Sequence, residues 1–251
     1  MFGKCLIYCA AAVMLVATCL GAGPVDRERI AADEARGIKF SGDKRTLLSY
    51  NKKLPDTEYT VPAGVTEIGR NAFASCRNLT AVTLPEGVVA IALGAFRNNR
   101  NLRSVKLPET LQKIDAYAFD NCPNLSDVTF PSRLRIIGHA AFRETGIDTL
   151  ELPAGIASVE SGAFYACRKL TEVTIPGGLR TISKSMFARC GRLYKVTLAS
   201  GVREIGEGAF DKCVKLTEIT LPSGIGRVGK NAFRGCPCEK RLKQANPRIF
   251  K

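Results

Sequence analysis

Apolar residues recur along this chain with a long, fixed period. Phe73, Phe96, Phe119, Phe142, Phe164, Phe187, Phe210 and Phe233 lie 23 residues apart, except for one step of 22 between Phe142 and Phe164. Ala precedes each of them except Phe187, which follows Met186. Between them runs a second pattern, Leu79-x-x-Val82-x-Leu84-Pro85, matched by Leu216-x-x-Ile219-x-Leu221-Pro222. A third, Val65-x-x-Ile68-Gly69, returns as Val202-x-x-Ile205-Gly206. The shared unit is Leu-x-x-Val-x-Leu-Pro-x-x-Val-x-x-Ile-Gly-x-x-Ala-Phe-x-x-Cys.

Each part of the unit has a physical reading. Leu-x-x-Val-x-Leu sends alternate side chains inward along a short strand. Pro ends the strand because it has no N–H for a ladder. Val-x-x-Ile-Gly carries the chain along the opposite side, and Ala-Phe-x-x-Cys is predicted to return it through a helical or 3₁₀ turn. One such coil cannot bury its own apolar face, whereas stacked coils share one core. The prediction is a β-rich α/β solenoid of about eight coils, with a parallel sheet on one face, short helical turns and caps at both ends. At ~4.8 Å per coil the rod is roughly 40 Å long. The single 22-residue step falls at Thr145-Gly146-Ile147, where Gly146 is expected to absorb the tighter turn.

The stretch Val61-Pro62-Ala63-Gly64-Val65-Thr66-Glu67-Ile68-Gly69-Arg70-Asn71-Ala72-Phe73-Ala74-Ser75-Cys76 resembles the BspA-like leucine-rich repeats. The period and the Cys position are closest to the treponemal type. The resemblance covers about 59–236 and is specific because the unit returns in eight coils. It implies a leucine-rich-repeat solenoid, and a role akin to adhesins and surface or periplasmic interaction modules. It supplies no catalytic residue.

The remaining segments divide as follows. Residues 1–22 read as a secretory signal peptide: Lys4, an apolar run from Cys5 to Leu20, then Gly21-Ala22-Gly23. The run is short for a membrane span, which takes roughly 20 residues; an uncleaved N-terminal anchor is the alternative. Val16-Ala17-Thr18-Cys19 resembles a loose lipobox with a poorly matching Thr18, so lipid on Cys19 would be the one route to a membrane. Residues 24–58 are expected to cap the first coil, through a charged helix over 24–36 and short strands at Ile38–Phe40 and Leu47–Tyr50. The repeats occupy 59–236, and 237–251 form a polar C-terminal cap. The expected location is therefore the periplasm or the outer surface.

Cysteine usage does not change this picture. Of the ten cysteines, Cys76, Cys122, Cys167, Cys190, Cys213 and Cys236 share one repeat position, filled by Asn99 and Thr145 in the other two coils. Export permits disulfides, but a residue returning once per coil reads as a reduced, buried core position. Asn and Thr suit the same slot through hydrogen bonds to the turn backbone. Cys236-Pro237-Cys238 with one histidine in the chain makes no zinc site, and capping is the better reading. No cofactor or metal is expected.

Charge does change it. The net charge is +14, and the cations concentrate in the turn after each Phe. Arg77, Arg97, Arg100, Arg168, Lys169, Arg189, Arg192, Lys212 and Lys215 are assigned to a ligand-binding basic stripe along one edge. Arg143 and Arg234 lie in the same turns, opposed only by Asp120, Glu144 and Asp211. Such a stripe attracts polyanions in a salt-sensitive way, with a solubilising charged edge as the alternative. Val89, Leu93, Tyr117 and Ile136 break the polar pattern on the other side and are assigned to an apolar partner patch.

Three function classes follow. The leading one is a non-enzymatic binding or adhesion module for a protein or an acidic glycan. The second is a structural periplasmic scaffold that self-assembles through the apolar patch. An enzyme is disfavoured: His139 is the sole histidine, no nearby Ser or Cys nucleophile with an orienting acid is expected, and no coil breaks the repeat. Nucleic acid is disfavoured by export and by the lack of an aromatic platform for bases. Two sequons, at Asn78 and Asn124, fall at equivalent turns.

Overall fold

The computed structural model describes residues 23–250, and the signal-peptide and Cys19 readings lie outside them. The described chain is a stack of eight coils around one interior, with a parallel sheet on each of two faces. The front sheet comes from Leu-x-x-Val-x-Leu: strands at Glu58–Thr60, Ala81–Thr83 and Ser104–Lys106, then at Thr149–Glu151, Glu172–Ile175, Lys195–Leu198 and Glu218–Ile219. Their register advances one repeat per strand, as in Val82↔Val105 and Val173↔Val196. The back face is also a sheet, built from the two residues ending at each Ile, such as Glu67–Ile68 and Glu204–Ile205. That second sheet is an addition to the single sheet expected.

The front sheet breaks at the fourth coil, where Asp127 keeps only an isolated bridge to Ser104, and the back sheet breaks between Ser158–Val159 and Thr181–Ile182. The next front strand follows Gly146, in the shortened repeat. A side chain at Gly146 would place its Cβ 2.5 Å from the Pro123 carbonyl oxygen, so only glycine lets the tighter turn lie against the coil below.

The eight repeat phenylalanines are all buried and stack face to face. Ring centroids are 4.8–5.0 Å apart from Phe73 to Phe142, for instance 4.8 Å for Phe73–Phe96 and 5.0 Å for Phe119–Phe142. From Phe142 onward they widen to 5.5 Å, and to 5.7 Å at Phe164–Phe187. Near-parallel rings with centroids in this range are offset stacks, each adding about 0.5–1.5 kcal/mol to plain burial.

The Ala-Phe segment is not helical, contrary to expectation. The second residue before each Phe and the second after it have positive φ in all eight coils, as at Asn71 (54°), Ser75 (60°), Tyr117 (57°) and Lys212 (60°). This bends the backbone N–H groups outward to the next coil. Asn71, Phe73 and Ser75 donate to the carbonyls of Leu93, Ala95 and Arg97, while Ala72 and Ala74 close turns within their own coil. A helix would keep those donors within the coil and leave the stack without a ladder along this edge.

The cysteine row is buried and reduced. It also has a polar task. Cys122 Sγ donates to the Phe96 carbonyl one coil back (3.1 Å), and Cys190, Cys213 and Cys236 do the same to Phe164, Phe187 and Phe210. Asn99 reaches Phe73 O (2.8 Å) and Phe96 O (2.7 Å), and Thr145 reaches Phe142 O. The slot therefore selects a small donor for a buried carbonyl. Burial pushes the Cys76 and Cys122 thiols up to about 12.

At the N-terminal end the helix Arg27–Ala35 lies over the first coil. Its buried Asp33 accepts from Tyr59 Oη at 2.7 Å, and Tyr50 stacks on Phe73 while its N–H meets Ala72 O. Tyr50 thus takes the place a preceding Phe would hold. At the other end, Cys238 leads into the helix Glu239–Ala245 and donates its N–H to Leu216 O.

Candidate functional site

The turns that follow the phenylalanines project from one edge of the stack. All nine residues of the basic stripe are exposed there. The repeat register shows that they do not form one line. The fourth and fifth residues after Phe read Arg77-Asn78, Arg100-Asn101 and Pro123-Asn124 in the first three coils, and Gly146 alone in the fourth. They read Arg168-Lys169, Gly191-Arg192 and Val214-Lys215 in coils five to seven. The stripe is therefore interrupted across coils three and four.

The two parts differ in what surrounds the cations. In the first part Asp120, fully buried, is clamped between Arg97 (2.9 Å) and Arg143 (2.6 Å). Tyr117 lies under both guanidinium groups, 5.6 and 5.9 Å from its ring centroid. Asn78, Asn101 and Asn124 turn their amides back onto the carbonyls of Leu54, Arg77 and Arg100 at 2.7–2.8 Å. Those bonds account for both sequon asparagines as turn staples.

In coils five to seven the asparagines give way to Lys169, Arg192 and Lys215. Among the described residues, Arg168, Lys169, Arg189, Arg192, Lys212 and Lys215 have no carboxylate within ion-pair distance. The nearby acid, Asp211, is engaged bidentately by Arg234 at 2.7 and 2.8 Å, and that guanidinium holds its carboxyl below the usual range. Arg189 caps the ring of Tyr165 at 5.9 Å. Six cations on three adjacent coils, ~4.8 Å apart along the axis, form a compact positive field.

The apolar patch does not assemble. Val89 is 4% exposed and so offers little surface to a partner. Ala90 and Ile136 are separated in the back sheet by Lys113, which pairs with Asp115. Leu93 is half-buried in the row of Arg70 and Lys184. Tyr117 belongs to a different row, the left-handed position of Asn71 and Gly94, and its ring is covered by Arg97 and Arg143.

One further correction concerns His139. Its Nδ1 lies 2.8 Å from Ser161 Oγ, so a serine does stand beside it. The nearest acid, Glu160, binds the His139 backbone N–H and not the ring. The orienting carboxylate that a hydrolytic triad requires is absent from the described residues. Beside this pair lies an open bowl of about 310 Å³. Its floor is Ala140, Gly162 and Ser185, and its walls include Arg143, Tyr165 and Lys184. Sequence reading missed it, because it arises from small residues in the left-handed row of three successive coils. Among the described residues no group of His, Cys, Asp and Glu is placed to hold a metal, and no helix is long and apolar enough to cross a membrane.

Comparison with known proteins gives a consistent picture. A family profile described as BspA type Leucine rich repeat region matches in six copies, over residues 49–157 and 112–240. Among solved structures, a leucine-rich repeat protein of Bacteroides ovatus superposes with a TM-score of 0.71 at 23% identity, over 80% of this chain and 55% of its own. The Treponema pallidum leucine-rich repeat protein gives 0.65 at 26% identity, over 72% of this chain and 87% of its own. A leucine rich cell surface protein of Faecalibacterium prausnitzii gives 0.54 at 27% identity, over 79% and 50%. The chain thus spans about half the length of the Bacteroides and Faecalibacterium proteins. No curated protein matches at a significant level. With the profile running over most of the coils and the same solenoid in these relatives, the chain belongs to the BspA-type leucine-rich repeat family.

Proposed function

We propose that this protein is a non-enzymatic binding module of the cell envelope or cell surface, acting as an adhesin toward an anionic partner such as an acidic glycan or an acidic protein surface. The observation that carries this reading is the cluster of Arg168, Lys169, Arg189, Arg192, Lys212 and Lys215, with no carboxylate partner on three adjacent coils. Cations held this close repel one another, and the one acid of these turns, Asp211, is taken by Arg234. The cell-surface description of the Faecalibacterium relative supports an exported location, and so does the signal-like start of the chain. The domain plan stays as read from the sequence: a cleaved leader over 1–22, a cap over 24–58, repeats over 59–236 and a second cap over 237–251.

Charge reversal tests this. The variant Arg168→Glu/Lys169→Glu/Arg189→Glu/Arg192→Glu should elute from an immobilised polyanion at clearly lower salt than the parent. The pair Arg77→Glu/Arg100→Glu should shift elution much less. Equal shifts, or none, would remove coils five to seven as the binding edge.

A further inference from the structure

The bowl lies beside the basic edge. It spans coils four to six, where the left-handed row carries Ala140, Gly162 and Ser185. One coil earlier the same position carries Tyr117, whose ring stands edge-on to His139 at 5.1 Å and 82° and closes that end. Gly162 has φ +63° and an open space above it: a Cβ there would meet only Tyr165 Cβ at 3.8 Å. The depression is therefore a vacancy in a row that the fold can fill with larger side chains.

Its chemistry is mixed in a specific way. One wall offers Arg143, whose Nε and one terminal nitrogen are spent on Asp120, leaving the second terminal nitrogen without a protein partner among the described residues. Beside it stands the Tyr165 ring, steadied by Arg189. The other wall offers His139, its Nδ1 fixed by Ser161 and its Nε2 without a partner among the described residues, and then Lys184, exposed and within 3.1 Å of Glu207. Two hydroxyls, a ring face and the unengaged terminal nitrogen of Arg143 suit a ligand that is polar over its surface, has a flat edge and carries negative charge. The volume of about 310 Å³ stands at the lower end of the ~300–1,000 Å³ of ligand pockets. It admits one ring, and it is too large to be filled by a simple oxyanion.

We propose that this bowl is a binding site for a single acidic sugar ring, its anionic group at the unengaged terminal nitrogen of Arg143 and its ring against Tyr165. The proposal deepens the polyanion-binding reading above, since it names the unit that a longer acidic glycan would seat here while its neighbours lie along coils five to seven.

The repeat supplies test variants that the fold already tolerates. Gly162→Asn fills the floor with the residue found at the equivalent Asn71 and Asn231. Tyr165→Ala removes the wall and leaves what Ala74 and Ala188 already are at that position. Calorimetry on the intact protein should compare three probes: a hyaluronan disaccharide, the same disaccharide with its carboxyl reduced to an alcohol, and inorganic phosphate. The acidic disaccharide is expected to bind in the millimolar range or tighter, the other two at least about tenfold more weakly, and each variant should lose about tenfold or more with its melting temperature preserved. No heat from the acidic disaccharide at about 10 mM, equal binding of the neutral one or of phosphate, or unchanged binding by Gly162→Asn would each overturn the bowl as a sugar site. The two readings fail separately. Loss of polyanion retention in the edge variant without disaccharide binding defeats the bowl alone, and retention unchanged in that variant while the disaccharide binds defeats the edge alone.

Discussion

Coils one to four and coils five to seven share one unit and one core, yet their turn edges differ in kind. In the first group the edge is satisfied in part: Asp120 pairs with Arg97 and Arg143, and three asparagines staple each turn to the one before, while Arg77 and Arg100 have no carboxylate partner among the described residues. In the second, six cations have no carboxylate partner among the described residues and the one acid of those turns, Asp211, is taken by Arg234, and the phenylalanine stack is wider by about half an ångström, 5.5 Å against 5.0 Å. A solenoid is close to a sum of repeats and their interfaces. It can therefore leave one stretch electrostatically open without disturbing its neighbours. The difference teaches that function is written here in the exchange of turn-stapling residues for free charge, with the interior held constant.

That statement is most exposed to substitutions in the core. Phe96→Ala and Phe187→Ala each remove a fully buried ring and should each cost about 3–5 kcal/mol. Chemical denaturation should place the two within about 1 kcal/mol of each other, since the stacking difference touches only the smaller aromatic contribution. A much larger gap would mean that the halves differ in their interiors and not only at their edges.

Asp120 ranks next. Asp120→Asn leaves Arg97 and Arg143 without a carboxylate, but both reach solvent, with 46% and 38% of their side chains exposed. The loss is thus nearer the value of charge-assisted hydrogen bonds, about 2 kcal/mol, than that of an orphaned buried charge. Asp211→Asn, at the more open pair with Arg234, should cost less. Its sign with pH is fixed. Arg234 lowers the folded carboxyl below its unfolded value, so the contribution is full above about pH 4 and disappears as pH falls through the folded pKa. Melting curves of parent and Asp211→Asn should therefore differ at pH 6 and converge in acid. A difference that grew on acidification would refute the assignment.

The donor slot gives an effect of the opposite sign. Asn99 is 1% exposed, and its Oδ1 has no partner among the described residues. A buried unsatisfied acceptor costs about 1–3 kcal/mol. Asn99→Cys would restore the residue found in most other coils, keep a donor for Phe73 O and remove the orphan, and Phe96 O, which loses the Asn99 amide, keeps the Cys122 thiol as its donor. A gain of about 1 kcal/mol is expected. Thr145→Cys, where the threonine hydroxyl is already engaged on Phe142 O and Cys167 Sγ, should change little. Equal gains at both would show that the slot rewards sulfur itself.

The stack, its register and its buried rows were legible because each rests on a period, and a period of 23 read over eight Phe admits few alternatives. Ala-Phe-x-x-Cys was misread as helical because its hydrogen bonds leave the coil, and local propensity cannot report a partner 23 residues away. The signal was present: the two flanking positions hold Asn71, Gly94, Asn98, Asn121, Gly162, Gly208, Asn231 and Gly235, residues that accept positive φ at low cost. The apolar patch failed for a related reason. Tyr117 is covered by Arg97 and Arg143, and Val89 is buried where Arg135, Ala157 and Arg203 in the same row are exposed, and such cover is visible only once the coils are stacked. The bowl was not legible at all, because it consists of side chains that are small in three coils together.

The smallest expected effect is also the sharpest test of the comparison. Arg192 occupies the position that Asn101 and Asn124 fill in the first half, and the Arg168 carbonyl one coil back corresponds to the carbonyls those amides reach. Arg192→Asn should therefore install a turn staple and relieve repulsion from Arg168, Arg189 and Lys215 at once. Each contribution is small at an exposed site, so the gain is at most about 1 kcal/mol. The same variant should elute from an immobilised polyanion at lower salt, by about the share of one cation in six. A staple gained together with binding lost is what an edge shaped for a ligand at the expense of stability would show. If Arg192→Asn left stability unchanged or lowered it while retention fell, the cations would not be standing in for staples. The contrast between the halves would then reduce to charge alone.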